Sequence, residues 1–197
     1  MLAVTGYRSR IVEELRKLLP PEEEVVRVFD INRDEPVGPC NRYLLCAGLL
    51  RPKGILEQTE ADLIQSMDVN CLTPIRLCDA VLARNDRARI VVMGSESGFS
   101  WSYDGAYAAA KAALHRYVET KKLRPNQQLV CVAPSIISDC EMTLARKDVD
   151  NLQKRMDAHP KQRFLLAREV ARMIHFLLYD DEGYTTGTVV RMNGGGA

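Results

Sequence analysis

Short apolar runs alternate along the chain with longer stretches whose apolar residues recur every three or four positions. The short runs, at 2–5, 25–30, 43–46, 90–93, 129–132 and 188–192, have the length and the β-branched content of buried strands. The longer ones predict helices over 9–19, 60–84, 102–124 and 167–179. Pro20 and Pro21 stop the first of these, and Pro125 stops the third. In the last, Val170, Met173, Ile174, Leu177 and Leu178 form one apolar stripe. This alternation predicts an α/β fold: a parallel sheet of about six strands with helices on both faces. No repeat, low-complexity tract or linker interrupts it, so residues 1–197 are expected to form a single domain. The stretch 140–166 is rich in charge, yet Met142, Val149, Leu152 and Met156 suit one helical face. A substrate lid and a plain solvated helix are both open there.

Composition narrows the function more than the fold. The chain carries 27 Lys and Arg against 26 Asp and Glu, a net charge of +1, which gives no electrostatic case for nucleic acid or an anionic membrane. Six cysteines, at 40, 46, 71, 78, 131 and 140, form no Cys-x-x-Cys pair and sit mostly in apolar runs. Buried free thiols in a reducing compartment account for them better than disulfides or zinc. The first strand begins at Leu2 with no leader pattern, and no apolar run approaches the ~20 residues of a membrane span. A cytoplasmic location is expected. His115, His159 and His175 have no ligand spacing, so surface or core roles are expected of them and no metal site is predicted.

The sharpest chemical signal is Tyr107-Ala108-Ala109-Ala110-Lys111, with Ser95 after the preceding strand. Spacing of four puts the phenol and the ammonium on one helical face. A tyrosine with a pKa near ~10 becomes a base at neutral pH only if drawn about three units down, which requires roughly 4 kcal/mol. The neighbouring ammonium in a partly dry cleft is the expected source. Ser95 would donate to a substrate oxygen where charge develops. Asn70 falls on the apolar face of its helix, in line with Leu63, Met67, Cys71, Pro74 and Cys78. Pro74 has no N–H for the Asn70 carbonyl, which frees an acceptor for a held water beside the lysine. Taken alone, Asn70 also suits a kinked helix with a satisfied polar core residue.

In order along the chain stand Thr5-Gly6, Cys46-Ala47-Gly48, Asp68-Val69-Asn70, a strand ending at Ser95, Tyr107 with Lys111, Pro134-Ser135-Ile136-Ile137, Thr186-Gly187 and Asn193-Gly194-Gly195. In this series the chain resembles the short-chain dehydrogenase/reductase family over nearly its whole length. The resemblance implies a Rossmann-type doubly wound sheet and an NAD(P)(H)-dependent interconversion of a carbonyl and an alcohol. It makes Tyr107 the general acid/base, Lys111 the ribose ligand that also lowers the tyrosine pKa, Ser95 the group that polarises the substrate oxygen, and Asn70 the anchor of a relay water. Ser97 competes with Ser95; aligning Gly98 with the family's glycine favours Ser95. The implied cofactor contacts are Gly6, Arg8, Ser9, Arg10, Ile11, Asp30, Ile31, Cys46, Ala47, Gly48, Pro134 and Ile137, besides Tyr107 and Lys111. A homodimer or homotetramer is implied, through the helices at 102–124 and 167–179.

Two features depart from the family pattern. Arg10 and Val12 occupy the second and third glycine positions of the cofactor turn. Arg10 either brings charge to the phosphates or blocks the site. The second departure is a deletion: eleven residues between Asp30 and Arg42 replace a helix–strand–helix unit. They span about 36 Å extended, against a trip of roughly 22 Å, so a direct link is feasible and the strand at 25–30 is expected at the sheet edge. Asp30 suits a ribose 2′-hydroxyl and favours NAD(H), while Arg8, Arg10 and Arg33 keep NADP(H) open. Trp101 and Tyr103 suit either a substrate pocket or ordinary packing. The competing readings are a non-catalytic dinucleotide or small-molecule sensor that kept the fold, and an interaction protein.

Overall fold

The computed structural model describes residues 1–27, 40–51, 53–100 and 102–196. Six strands pair in parallel in the order β2-β1-β3-β4-β5-β6. They are β1 Leu2–Thr5, β2 Val25–Arg27, β3 Arg42–Leu45, β4 Arg89–Met93, β5 Gln128–Pro134 and β6 Thr188–Met192. The predicted sheet is therefore present, with β2 at one edge. Leu2 pairs with Val25 on one side and Arg42 on the other, so β2 and β3 flank β1. Asp30, Ile31, Trp101 and most of that link lie outside the described residues.

The strands are apolar on both sides because both sides are covered. Leu2, Val4, Leu44, Val91, Met93, Val130 and Val132 point to one face, where α1 (Arg10–Arg16) and α7 (Ala167–His175) pack on them. The alternate residues Ala3, Tyr43, Leu45, Ile90, Val92, Leu129 and Cys131 meet Leu77, Cys78 and Leu82 of α3 (Thr73–Arg84) and Leu114 and Val118 of α4 (Gly105–Thr120). Val12, at a family glycine position, is fully buried in the first of these cores. All six cysteines are free thiols, five of them buried.

The helix bounds differ from the predicted ones for local reasons. The helix predicted over 102–124 begins at Gly105, because Asp104 accepts the Tyr107 N–H and caps it, and it ends at Thr120. The one predicted over 9–19 runs from Arg10 to Arg16, with Ser9 as its cap. The long helix at 60–84 divides into α2 (Glu60–Met67) and α3 around a π-turn at Asp68–Leu72. Residues 140–166 form α5 (Glu141–Leu144) and α6 (Val149–Asp157). This excursion is closed at its base where Ile137 bridges Leu165.

At the amino ends of the strands, two arginines cap the end of α7 and the π-turn Phe176–Asp180 that follows it. Arg42 Nε donates to the Leu178 carbonyl at 3.0 Å. Arg89 donates to the carbonyls of Leu177 (2.9 Å) and Asp181 and to Gln128 Oε1 (2.8 Å). Such carbonyls are the acceptors a helix end cannot satisfy internally. Replacing Arg89 by alanine strands all three acceptors. The variant is expected to lose about 2–3 kcal/mol, read as a lower urea midpoint at unchanged slope.

Candidate active site

Strand order reverses around β1, since the chain goes from β1 to β2 on one side and then to β3 on the other. Ligands of doubly wound sheets bind above the carboxyl ends of the strands at such a point. Thr5, Gly6 and the 46–48 segment meet there. Gly6 has φ +65°, and a Cβ on it would lie 2.8 Å from the backbone of Cys46 and Ala47, so only glycine fits. The Ala47 N–H donates to Thr5 Oγ1 at 3.1 Å, locking the two strand ends together. Ser9 accepts the Val12 N–H and lies 3.4 Å from Cys46 Sγ. Gly6, Ser9, Cys46 and Ala47 thus converge, while Arg8 is exposed and Ile11 is turned into the core. Arg10 sits among carboxylates, 2.7 Å from Glu13, 2.8 Å from Glu14 and 3.9 Å from Asp139 across the groove. Pro134 ends β5 and is buried, and the Ile137 side chain packs in the core beside Cys140.

At the carboxyl ends of the neighbouring strands, α4 lays Tyr107 and Lys111 against the end of β4. Both are buried, at 9% and 2% exposure. The Lys111 ammonium lies 5.6 Å from the Tyr107 ring centroid and donates to the Met93 carbonyl at 2.7 Å. Burial drives the lysine pKa down to about 8, with the nearby thiols of Cys131, Cys46 and Cys71 opposing the shift. Ser95, also 9% exposed, follows β4, and its side chain lies close enough to the phenol to favour the phenolate. Ser97, the competing serine, gives its backbone N–H to Ser95 Oγ at 3.2 Å.

The expected direction of the tyrosine pKa is corrected here. Burial pushes the phenol above its ordinary value; Ser95 pulls against that, and Asp104 adds to it. In the protein alone, desolvation of a phenolate outweighs what the neighbourhood returns. Tyr107 is a neutral phenol at physiological pH.

Asn70 is fully buried and points inward as expected. Its carboxamide is spent on the chain: Oδ1 accepts the Leu49 N–H (3.0 Å), and Nδ2 donates to the carbonyls of Leu49 (2.7 Å) and Ser66 (3.0 Å). It clamps the loop after β3, next to Gly48. The π-turn is the backbone's response to Pro74: the Thr73 N–H reaches back to Asp68.

Two residues matter here beyond the roles expected from sequence. Asp104 is 2% exposed, and its carboxylate accepts three N–H groups: Tyr107 (3.0 Å), Gln58 Nε2 (3.0 Å) and Arg51 (2.8 Å). It fixes both the start of α4 and the loop beside it. Its signal was an aspartate three residues before Tyr107, a helix-cap pattern. The second, His115, follows Lys111 by four and lies against Ser95. Tyr103 is half-exposed and hydrogen bonds to Glu57. Among the described residues, no group of three or more His, Cys, Asp or Glu is placed to hold a metal. None of the helices there is long and apolar enough to cross a membrane. Asp104→Ala strands three donors and is expected to cost about 2–4 kcal/mol by chemical denaturation, whereas Asp104→Asn, which keeps an acceptor for α4, costs less.

Comparison with known proteins gives the family. Residues 21–196 match the family model described as enoyl-(acyl carrier protein) reductase. The chain is 30% identical over 169 residues to an acetoacetyl-CoA reductase of Allochromatium vinosum, a match covering 82% of this chain and 68% of that one. It is 29% identical over 170 residues to a 3-oxoacyl-(acyl-carrier-protein) reductase of Mycobacterium tuberculosis, with the same coverage. The crystal structure of levodione reductase superposes with a TM-score of 0.83 at 19% identity, over 98% of this chain and 96% of that one. The chain belongs to the short-chain dehydrogenase/reductase family of oxidoreductases.

Proposed function

We propose that the protein reduces a carbonyl to an alcohol with a nicotinamide dinucleotide, Tyr107 giving the proton. The observation that carries this reading is the buried phenol at the carboxyl end of β4, with the Ser95 side chain beside it and the Lys111 ammonium 5.6 Å from its ring centroid. The protein's residues suit the cofactor at the nicotinamide end, where Lys111, Tyr107 and Cys46 border the crevice. At the phosphate end Gly6 packs the turn after β1 against the backbone of Cys46 and Ala47, while Arg10 and Val12 stand where the family pattern has glycines. When bound, the dinucleotide supplies the hydride.

The chain's own groups do the rest. Ser95 donates to the substrate oxygen as negative charge builds on it. A phenol kept neutral by burial is in the protonation state that gives its proton during reduction. Lys111, charged below about pH 8, stabilises the phenolate left behind and would hold the ribose. The Asn70 carbonyl would anchor the water through which Tyr107 is reprotonated. Arg8, Ser9, Arg10, Ile11, Ala47, Gly48, Pro134 and Ile137 remain the proposed surroundings of the cofactor. Asp30 and Ile31 belong with them on sequence grounds, favouring NADH over NADPH. Met142, whose methyl group stands beside Gly48, supports a role for the 140–166 excursion as a substrate lid. A homo-oligomer working in the cytoplasm completes the reading. One observation favours a second reading, a sensor that binds without turnover: Arg10 is held by three carboxylates instead of standing free for phosphate.

The test is turnover of a carbonyl panel that includes acetoacetyl-CoA, with NADH and NADPH. Tyr107→Phe is expected to lower kcat roughly 10²–10⁴-fold without weakening dinucleotide binding. Binding with no turnover of any substrate would favour the sensor. In the wild type, the reduction rate is expected to hold below pH 8 and to fall above it as the Lys111 ammonium is lost. Lys111→Arg should move that limb out to higher pH.

A further inference from the structure

His115 stands one turn beyond Lys111 and two beyond Tyr107 on α4, and no step described above uses it. Its ring is 3% exposed, and Nε2 accepts the Ser95 N–H at 3.3 Å. Lys111, one turn earlier, donates to the Met93 carbonyl. The helix therefore grips the end of β4 at two points, the carbonyl before Gly94 and the N–H after it.

The surroundings are shaped to admit this ring. A Cβ on Gly98 would lie 2.5 Å from its Cε1 and 2.8 Å from its Nδ1, and a Cβ on Gly94 would strike the ring and Cys131 Sγ. Phe99 stacks on the imidazole with centroids 4.6 Å apart, and the Arg191 guanidinium lies 4.5 Å from the Phe99 ring centroid. Arg191 is in turn held by Glu96. An acceptor at Nε2 places the ring proton on Nδ1, and that atom is buried with no hydrogen-bond partner. Packing alone does not call for a buried polar ring with one donor unsatisfied, since an apolar side chain would fill the space without that cost.

We infer that His115 is a positioning residue: its Nε2 fixes the Ser95 amide and thereby aims the Ser95 hydroxyl at the phenol of Tyr107 and at the substrate oxygen beside it. The inference rests on the role proposed for Ser95. Ser95 Oγ already accepts the Ser97 N–H, so once the backbone is held its own proton is free for the crevice.

The experiment compares wild type, His115→Gln, His115→Leu, Ser95→Ala and the Ser95→Ala/His115→Leu pair for kcat, KM and melting temperature. His115→Leu, which has no acceptor, is expected to lower kcat roughly 10–100-fold while the KM for dinucleotide stays within about 3-fold. His115→Gln keeps an acceptor and is expected to recover most of the rate. In the Ser95→Ala background, His115→Leu should cost little more, since the group it aims is gone. A full additional loss in that background, or wild-type kcat in a folded His115→Leu, would overturn the inference. If wild type itself turns over nothing, the proposed function fails first. The ring can still be judged by its ¹⁵N shifts: a proton on Nδ1 is expected, and one on Nε2 overturns the inference whatever the activity.

Discussion

An ammonium group buried in the protein and bonded to a strand-end carbonyl is the interaction on which the site turns. Lys111 donates a hydrogen bond to the Met93 oxygen at the end of β4, and in doing so fixes α4 against the central strand. Tyr107, one turn before it, and His115, one turn after, then fall on either side of Ser95 without further adjustment. The Asp104 carboxylate sets where α4 begins, so the register of all three side chains is decided at the cap. The other wall follows from Gly6, which brings the turn after β1 against the 46–48 segment.

This arrangement has a cost that the rest of the fold offsets. A lysine whose pKa falls from 10.5 to about 8 on folding prefers to be neutral in the native state. Below pH 8 it is charged in both states, and the fold gives up about 3 kcal/mol on its account. That cost is relieved as pH rises from 8 toward 10.5, where only the unfolded chain still holds the proton. The two apolar cores, each filled by alternate residues of the same strands, supply the compensation. A residue that destabilises the protein while bordering the candidate site is what a functional group looks like physically.

Much of this was legible in the sequence, because a sheet covered on both faces leaves short apolar runs that need no alternation. All six strands lie where those runs predict, and β2 stands at the edge, as the short link after it predicts. The i, i+4 spacing of Tyr107 and Lys111 survives as a shared face because helix geometry dictates it. Helix ends were harder: Asp104 and Ser9 are caps, and a reading by apolar periodicity extends helices through them. The Asn70 carboxamide reads in sequence as an inward polar group, but only coordinates show it paired to Leu49 and Ser66. The tyrosine pKa ran the other way because desolvation depends on what covers the phenol, which spacing does not report. His115 was set aside for want of metal partners, although its place four residues after Lys111 already put it on the same face.

The central claim is that Lys111 is a desolvated ammonium at the end of β4, and its own titration tests that most directly. Lysine side-chain ¹⁵Nζ and ¹³Cε shifts, assigned to residue 111 by comparison with Lys111→Arg, would be followed from pH 6 to 11 in the folded protein. A midpoint at about 8 is predicted, well below the 10.5 of an ordinary lysine. A midpoint at 10.5 would mean an exposed side chain, and the account of the site would be contradicted.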